Sequence, residues 1–189
     1  MTVSQSDVER VVAALRSGEV VAIPTDTVYG LAADPSSADA MQRLFALKER
    51  PEGVPVAVLV SSFEQAEALI EWTPPVRTLA EAHWPGALTI VGIGAGSEFH
   101  LGSLDTVGVR LPDHELIQKC AERFGPIAAT SANRHGMPTI TNPRELIAAF
   151  GQDVGVIVDG GILDGDASTV VDATKEPIGV LRQGVLRLD

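Results

Sequence analysis

The sequence predicts a single α/β domain over residues 1–189, in which helices flank a twisted sheet of mixed parallel and antiparallel strands. Short apolar runs with strand character alternate with segments of helical periodicity along the whole chain, as in α/β domains. Residues 56–60 form a continuous apolar run, which is typical of a strand covered on both faces. Gln183-Gly184 separates two further runs and favours a tight hairpin, which would make part of the sheet antiparallel.

Start and stop signals give the order of the elements. Ser6 and Glu9 form a capping box for the first helix, and Pro24 ends the first strand because proline cannot donate to a sheet ladder. The predicted helices cover residues 6–17, 41–48, 62–72, 76–83, 114–124 and 143–150. The predicted strands cover residues 20–23, 56–60, 88–91, 107–110, 126–130, 156–158, 168–172, 178–182 and 185–188.

The composition excludes several classes of protein. Hydrophobic residues make up 45% of the 189 residues, which is enough for a sizeable core. The net charge of −11 argues against nonspecific nucleic-acid binding, which normally needs a basic surface. The single cysteine, Cys120, excludes an internal disulfide, and no apolar stretch approaches membrane-spanning length. Together with an N-terminus that lacks the features of a signal peptide, these observations indicate a cytoplasmic protein.

Several common motifs are missing from the sequence. The glycines at 92, 94 and 96 do not have the spacing of a dinucleotide-binding fingerprint and predict a turn. No Gly-Lys dipeptide is present, which excludes a Walker A loop. The four histidines lack the spacing of metal ligands, and there is no nucleophile elbow. The sequence therefore offers no strong candidate for metal ligation or covalent catalysis.

The stretch that stands out is residues 23–34, Ile-Pro-Thr-Asp-Thr-Val-Tyr-Gly-Leu-Ala-Ala-Asp. Hydroxyls and backbone N–H groups beyond the carboxyl end of a strand suit a polar ligand. One helix later, Lys48 and Arg50 flank a glutamate, and Pro51 disfavours helix at the residue before it. Taken alone, the same residues also fit an ordinary turn followed by a helix whose terminal cations suit its dipole.

Arg110 and Arg182 each follow a strand-like run, so we expect these two cations to converge at one edge of the sheet. Further hydroxyl, amide and cationic side chains lie mostly just past the ends of predicted strands. Together they suit a ligand with several negative charges, because arginine binds carboxylate and phosphate oxygens in pairs. The members of this set are Thr25, Thr27, Lys48, Arg50, Thr106, Arg110, Ser131, Asn133, Thr139, Ser168 and Arg182.

Residues 23–34 and the Lys-Glu-Arg-Pro element at 48–51 resemble the signature of the YrdC-like family of threonylcarbamoyl-AMP synthases. The second half of that signature is a Ser-x-Asn element, here Ser-Ala-Asn at 131–133. Further matching segments lie at 106–113, 168–172 and 181–184, and the resemblance spans residues 20–188. Several motifs in the same order make this a specific signal, and it implies a YrdC-like fold.

The resemblance implies an enzyme that condenses L-threonine, bicarbonate and ATP into L-threonylcarbamoyladenylate and releases pyrophosphate. A downstream tRNA-modifying transferase complex would use this product to form threonylcarbamoyladenosine (t6A). By motif position, the implied threonine-binding residues are Thr27, Arg110, the Ala129 backbone and Ser168. The implied ATP-binding residues are Arg50, Val54, Thr106, Ser131, Asn133, Thr139 and Arg182. Lys48 and Arg50 are the implied catalytic residues, with Lys48 near the phosphates, and Mg²⁺ would accompany ATP rather than occupy a protein site.

Two alternatives stay open from the sequence. One is a family member that binds RNA without catalysis, which the acidic composition disfavours. The other is a carbamoyl-adenylate enzyme with a different substrate, resembling the related domain of hydrogenase maturation proteins. Val54 and Leu59 stand where many family members have asparagine and histidine, so the substrate contacts in that region also stay open.

Overall fold

The computed structural model describes residues 4–49, 54–96, 98–102 and 105–188. Within these residues, helices pack on both faces of a mixed sheet, as the sequence predicts. The helices are α1 (Gln5–Arg16), α2 (Ala38–Leu47), α3 (Phe63–Glu67), α4 (Pro74–His83), α5 (Glu115–Phe124) and α6 (Pro143–Phe150). The strands are β1 (Val21–Ile23), β2 (Gly30–Ala33), β3 (Ala57–Leu59), β4 (Leu88–Ile93), β5 (Thr106–Arg110), β6 (Ile127–Ser131), β7 (Val156–Ile157), β8 (Thr169–Asp172) and β9 (Gly179–Arg182).

The strands of the described chain form one sheet in the order β7-β1-β2-β6-β3-β5-β4-β8-β9. The pairs β1–β7, β3–β5 and β4–β8 are parallel, and the remaining neighbours are antiparallel. Ala57 of β3 lies opposite both Gly108 of β5 and Ala129 of β6, so these three small residues share one face of the sheet.

Two apolar clusters lie on opposite faces of the sheet. On one face, α1 and α5 pack over β1, β2, β6 and β7. On the other face, α2, α4 and α6 contribute to a larger cluster that also includes residues of β4, β5 and β8. The α1–α5 cluster contains no described residue of β4, β5, β8 or β9. The second half of that face is therefore left without a helical cover in the described part of the chain.

Several local predictions are wrong. The helix predicted over residues 62–72 is shorter, since α3 ends at Glu67 and Ile70 forms an antiparallel bridge with Gly94. The cap of α1 is Ser4, whose hydroxyl accepts from Ser6 N, rather than Ser6. Residues 30–33, treated as part of a loop, form β2, which pairs with β1. The expected turn at 92–97 begins later, because residues 92 and 93 belong to β4.

The predicted hairpin around Gln183-Gly184 is also absent, since residues 185–188 are not a strand. β9 pairs instead with β8, and the segment after it folds back along residues 167–169. Thr169 Oγ1 fixes this path by donating to Leu186 O at 2.6 Å and accepting from Gly184 N at 2.9 Å. Among the described helices, none has the length and apolar character needed to cross a membrane.

Candidate functional site

A cavity of about 450 Å³ lies on the uncovered half of the α1–α5 face. Alternate residues of β5 line it, namely Thr106, Gly108 and Arg110, as expected for one face of a strand. Eight of the residues predicted for the site line this cavity: Thr25, Thr27, Thr106, Arg110, Ala129, Ser131, Ser168 and Arg182. The sequence therefore brings together much of the predicted set, but on the face of the sheet rather than at its edge.

Small side chains make room for the cavity. Ala57, Gly108 and Ala129 face it from three adjacent strands. A Cβ placed on Gly108 would lie 3.6 Å from Ala57 Cβ and 3.5 Å from Thr89 Cγ2, which are ordinary contact distances. The backbone therefore does not require glycine at residue 108, and the lack of a side chain there leaves space in the cavity. The alternation of small and polar residues on β5 was the signal in the sequence that could have predicted a site on the sheet face.

Arg110 lies in this cavity as a nearly buried cation, with a side chain 7% exposed. Its guanidinium donates from Nη2 to Asp26 Oδ1 at 2.7 Å, from Nη1 to Thr27 Oγ1 at 3.0 Å and from Nε to Gly86 O at 3.0 Å. Burial lowers the pKa of Arg110, and the charge of Asp26 opposes that shift. Asp26, a residue of the signature with no predicted role, is the ion-pair partner that holds this arginine.

Arg182 enters the same cavity from β9. It donates from Nη2 to the carbonyl oxygen of Ser168 at 2.9 Å and to Ser168 Oγ at 3.2 Å, and Ser168 Oγ lies 2.9 Å from Thr89 Oγ1. Burial, followed by repulsion from Arg110, lowers the pKa of Arg182. The described lining contains these two arginines and no carboxylate. Such a cavity favours an anionic ligand. Thr89, on β4, is a lining residue that the sequence analysis missed.

The loop of residues 24–29 is fixed by its own hydroxyl groups. Thr25 Oγ1 donates to Val28 O at 2.7 Å, accepts from the backbone N–H groups of Thr27 and Val28, and lies 3.0 Å from Thr27 Oγ1. The fully buried Tyr29 donates its hydroxyl to Gly161 O at 2.7 Å and accepts from Gly160 N at 2.8 Å. The phenol of Tyr29 therefore anchors the 159–161 turn instead of facing a ligand.

Lys48 and Asn133 lie behind the cavity wall formed by Ser131. Lys48, only 1% exposed, donates from Nζ to Ser131 O at 2.5 Å, Asn133 O at 2.7 Å and Asn133 Oδ1 at 2.8 Å. Ser131 Oγ donates to Asn133 Oδ1 at 2.7 Å, and Asn133 Nδ2 donates to Met137 O. The Lys-x-Arg and Ser-x-Asn elements, distant in sequence, therefore meet through Lys48.

The remaining predicted residues have different positions. Arg50 lies outside the described residues. Val54 and Thr139 are half-buried and are not among the described lining residues, but the residue that follows each of them contacts the site. Pro55, which follows Val54, lines the cavity, and Ile140, which follows Thr139, donates from its backbone N to Ala132 O at 2.9 Å. Leu59 lines the cavity directly.

Comparisons with known proteins show the family of the chain. The family model Sua5/YciO/YrdC, described as telomere recombination, matches residues 13–184. A threonylcarbamoyl-AMP synthase of Pyrococcus abyssi is 41% identical over 180 residues, covering 93% of this chain and 53% of the relative. The chain thus spans about half the length of that protein. The threonylcarbamoyl-AMP synthase of Vibrio cholerae is 34% identical over 184 residues, covering 94% of this chain and 97% of the relative.

Structural comparison gives the same relationship. The crystal structure of P. abyssi Sua5 complexed with L-threonine superposes with a TM-score of 0.90 at 38% identity, covering 98% of this chain and 56% of that chain. This likeness confirms the predicted α/β fold class with its mixed sheet and flanking helices.

Proposed function

The chain belongs to the Sua5/YciO/YrdC family, and on that basis we propose that it acts as a threonylcarbamoyl-AMP synthase. The membership confirms the family predicted from the sequence motifs. The observation that carries the proposal is the cavity itself, which combines two arginines with the hydroxyl groups of Thr27 and Ser168. Its substrates would be L-threonine, bicarbonate and ATP, and its products L-threonylcarbamoyladenylate and pyrophosphate.

L-threonine would bind at Arg110. The guanidinium has five N–H groups, and described residues accept from three of them, which leaves hydrogens for the substrate carboxylate. A carboxylate is a favourable partner for a nearly buried arginine. The related P. abyssi Sua5 has been crystallised with L-threonine, which supports L-threonine as a substrate. Thr27, Ser168 and the Ala129 backbone, all at the same cavity, would contact the rest of the amino acid.

ATP would bind beside it, with Arg182 near its phosphates. Among the described residues, no group of three or more His, Cys, Asp or Glu side chains is placed to hold a metal ion. Mg²⁺ would enter as part of the MgATP substrate, as the resemblance implies. Thr106 and Ser131 line the same cavity and would contact the nucleotide, together with Arg50, Val54, Asn133 and Thr139 as the resemblance implies.

The chemistry requires alignment rather than a covalent intermediate on the protein. The amine of threonine would attack the carbon of CO₂ and lose a proton, which gives a carbamate. With bicarbonate as the source, the same carbamate would form with release of one water molecule. A carbamate oxygen would then attack the α-phosphorus of ATP, and pyrophosphate would leave. Positioning of two bound reactants and charge stabilisation of the phosphate groups supply most of the acceleration in such reactions. Arg110 would orient the amino acid and Arg182 would stabilise the charge on the phosphates.

The test is pyrophosphate release by the purified chain with MgATP, bicarbonate and L-threonine, each omitted in turn, with mass spectrometry of the adenylate. We expect release to require all three substrates. Arg110→Gln should lower kcat/KM for L-threonine by about 100-fold, because it removes the charged partner of the carboxylate. Arg187→Gln, which makes the same substitution at an exposed arginine outside the described lining of the cavity, is the matched control.

Either of two results would contradict the proposal. Release without a threonine requirement would indicate another acyl or carbamoyl substrate. No release from folded protein that still binds ATP would favour a binding function. If the adenylate is formed, a tRNA-modifying transferase in the cytoplasm is the partner that we propose to consume it.

A further inference from the structure

We propose that Lys48 is a positioning residue, which holds the Ser131-Ala132-Asn133 turn in place, and that it is not a ligand of the nucleotide phosphates. The kinetic part of this proposal rests on the proposed synthase activity, and the structural part does not. The resemblance places Lys48 near the phosphates, but the contacts of this side chain point to a different role.

The ammonium group of Lys48 is fully used inside the protein. An ammonium has three N–H donors, and three oxygen atoms accept from Nζ at 2.5, 2.7 and 2.8 Å. The side chain is 1% exposed, and it is not among the described residues that line the cavity. To bind a phosphate oxygen, Nζ would have to abandon at least one of these acceptors.

The direction of each hydrogen bond follows from this arrangement. Since an ammonium only donates, Asn133 Oδ1 accepts from Lys48, and it also accepts from Ser131 Oγ. The single hydroxyl proton of Ser131 is therefore committed to Asn133, and Ser131 faces the cavity as an acceptor. The ligand group that meets Ser131 Oγ is consequently a hydrogen-bond donor, such as a ribose hydroxyl, an amino group or a metal-bound water.

The backbone ties the same two segments together. Lys48 caps the C-terminal end of α2, and its carbonyl oxygen accepts from His135 N at 2.7 Å. Side chain and backbone of one residue thus join the end of α2 to both sides of the Ser-Ala-Asn turn. Because this turn forms a wall of the cavity, its position depends on Lys48.

NMR of the lysine ammonium groups tests the structural part. The chain has three lysines, and the side chains of Lys119 and Lys175 are 41% and 72% exposed, which makes them internal controls. In protein labelled with ¹⁵N-lysine, we expect one ammonium signal that exchanges slowly with water and is lost in Lys48→Met. This signal should keep its shift and protection when MgATP is added to saturation. Exchange as fast as that of the other two lysines, or loss of protection on binding MgATP, would overturn the proposal.

A double-mutant cycle tests the kinetic part. Lys48→Met should lower kcat/KM for ATP by about 100-fold, as misplacement of a binding wall does. If Lys48 acts through Asn133, the double variant Lys48→Met/Asn133→Ala should be no more than about threefold worse than the poorer single variant. Independent, multiplicative losses would show direct contact with substrate and would overturn the proposal. If the wild-type chain has no synthase activity, the proposed function fails, and the NMR experiment still decides the role of Lys48.

Discussion

Asp26 Oδ1 lies 2.7 Å from Nη2 of Arg110, and the two side chains are only 13% and 7% exposed. Arg110 lines the cavity, whereas Asp26 is outside its described lining. The carboxylate therefore binds the guanidinium from outside the described lining of the cavity. Thr27 Oγ1 and the carbonyl oxygen of Gly86 accept from two other N–H groups of the same guanidinium. This ion pair joins the loop of residues 24–29 to the end of β5, so it also fixes that loop against the sheet.

Replacement of Asp26 should impair the use of threonine more than that of ATP. Asp26→Asn keeps an acceptor but loses the charge, and we expect kcat/KM for L-threonine to fall about 10-fold. Asp26→Ala also frees the guanidinium to move, and the loss should reach about 100-fold. KM for ATP should change by less than about threefold in both variants, because in the proposed binding mode the phosphates contact Arg182 rather than the Asp26–Arg110 pair. Steady-state kinetics with each substrate varied in turn would measure the effect.

Asp7→Asn is the matched control for this pair, since Asp7 bonds Arg10 at 3.1 Å on the exposed surface of α1. Exposed ion pairs contribute little, so its activity should equal that of the wild type. Tighter threonine binding by Asp26→Ala would contradict the prediction, because it would mean that Asp26 competes with the substrate carboxylate.

Gly108→Ala should separate substrate binding from folding. The added Cβ meets its neighbours at 3.5 Å or more, so the strand accepts it without backbone movement. Alanine also loses less conformational entropy than glycine on folding, and the free energy of unfolding should stay within about 0.5 kcal/mol of the wild type or rise. The methyl group projects into the cavity, and we expect KM for a substrate to rise about 10-fold.

Urea unfolding and steady-state kinetics on the same preparation test this prediction. Gly179→Ala is the control, since glycine 179 is also in a strand and its added Cβ would have nothing within 4 Å. Equal KM values for Gly108→Ala and the wild type would show that the substrates do not reach this part of the cavity floor.

The sequence predicted much of the fold because its strands and helices carry strong local signals. Asn142 caps α6, which covers the predicted residues 143–150. α4 begins at Pro74, two residues before its predicted start, because Thr73 caps it. The hairpin at Gln183-Gly184 was wrong because a long-range contact overrides the local turn signal. Thr169 Oγ1, 15 residues away from Gly184, accepts from its backbone N and directs the segment elsewhere.

The residues that line the cavity were more predictable than the contacts among them. Arg110 and Arg182 were correctly placed together, because both follow strand-like runs and share ligand chemistry. The partner of Arg110 was not predictable, since residues 26 and 110 are joined only by the order of the strands in the sheet. The same holds for Lys48, whose acceptors lie 83 and 85 residues further along the chain.

Tyr29→Phe should destabilise the protein although it removes a single oxygen atom. The hydroxyl donates to Gly161 O and accepts from Gly160 N, and both groups lose this partner in the variant. Leaving such groups unsatisfied lowers the free energy of unfolding by about 2 kcal/mol. Thr78→Val is the control, because Thr78 Oγ1 bonds Pro74 O at 3.0 Å on an exposed helix surface. Urea unfolding that gives the same midpoint for both variants would contradict the prediction.

Cys120 should be unreactive in the folded protein and should couple stability to alkaline pH. Its thiol is buried between α5 and α1, and burial raises its pKa to about 12. Because the thiolate is the nucleophile, iodoacetamide at pH 8 should modify native protein far more slowly than protein in urea. Mass spectrometry of samples taken over time gives both rates, and modification at the rate of the unfolded chain would contradict the buried position.

The pH dependence of Cys120 has a defined sign. The raised pKa means that the folded state holds the thiol proton more tightly than the unfolded chain, in which the pKa of cysteine is about 8.5. The contribution to stability is complete below that unfolded value and is lost as the pH rises towards the folded pKa of about 12. The difference in free energy of unfolding between wild type and Cys120→Ala should therefore shrink between pH 8 and pH 11. A constant difference across that range would show that Cys120 does not titrate differently in the two states.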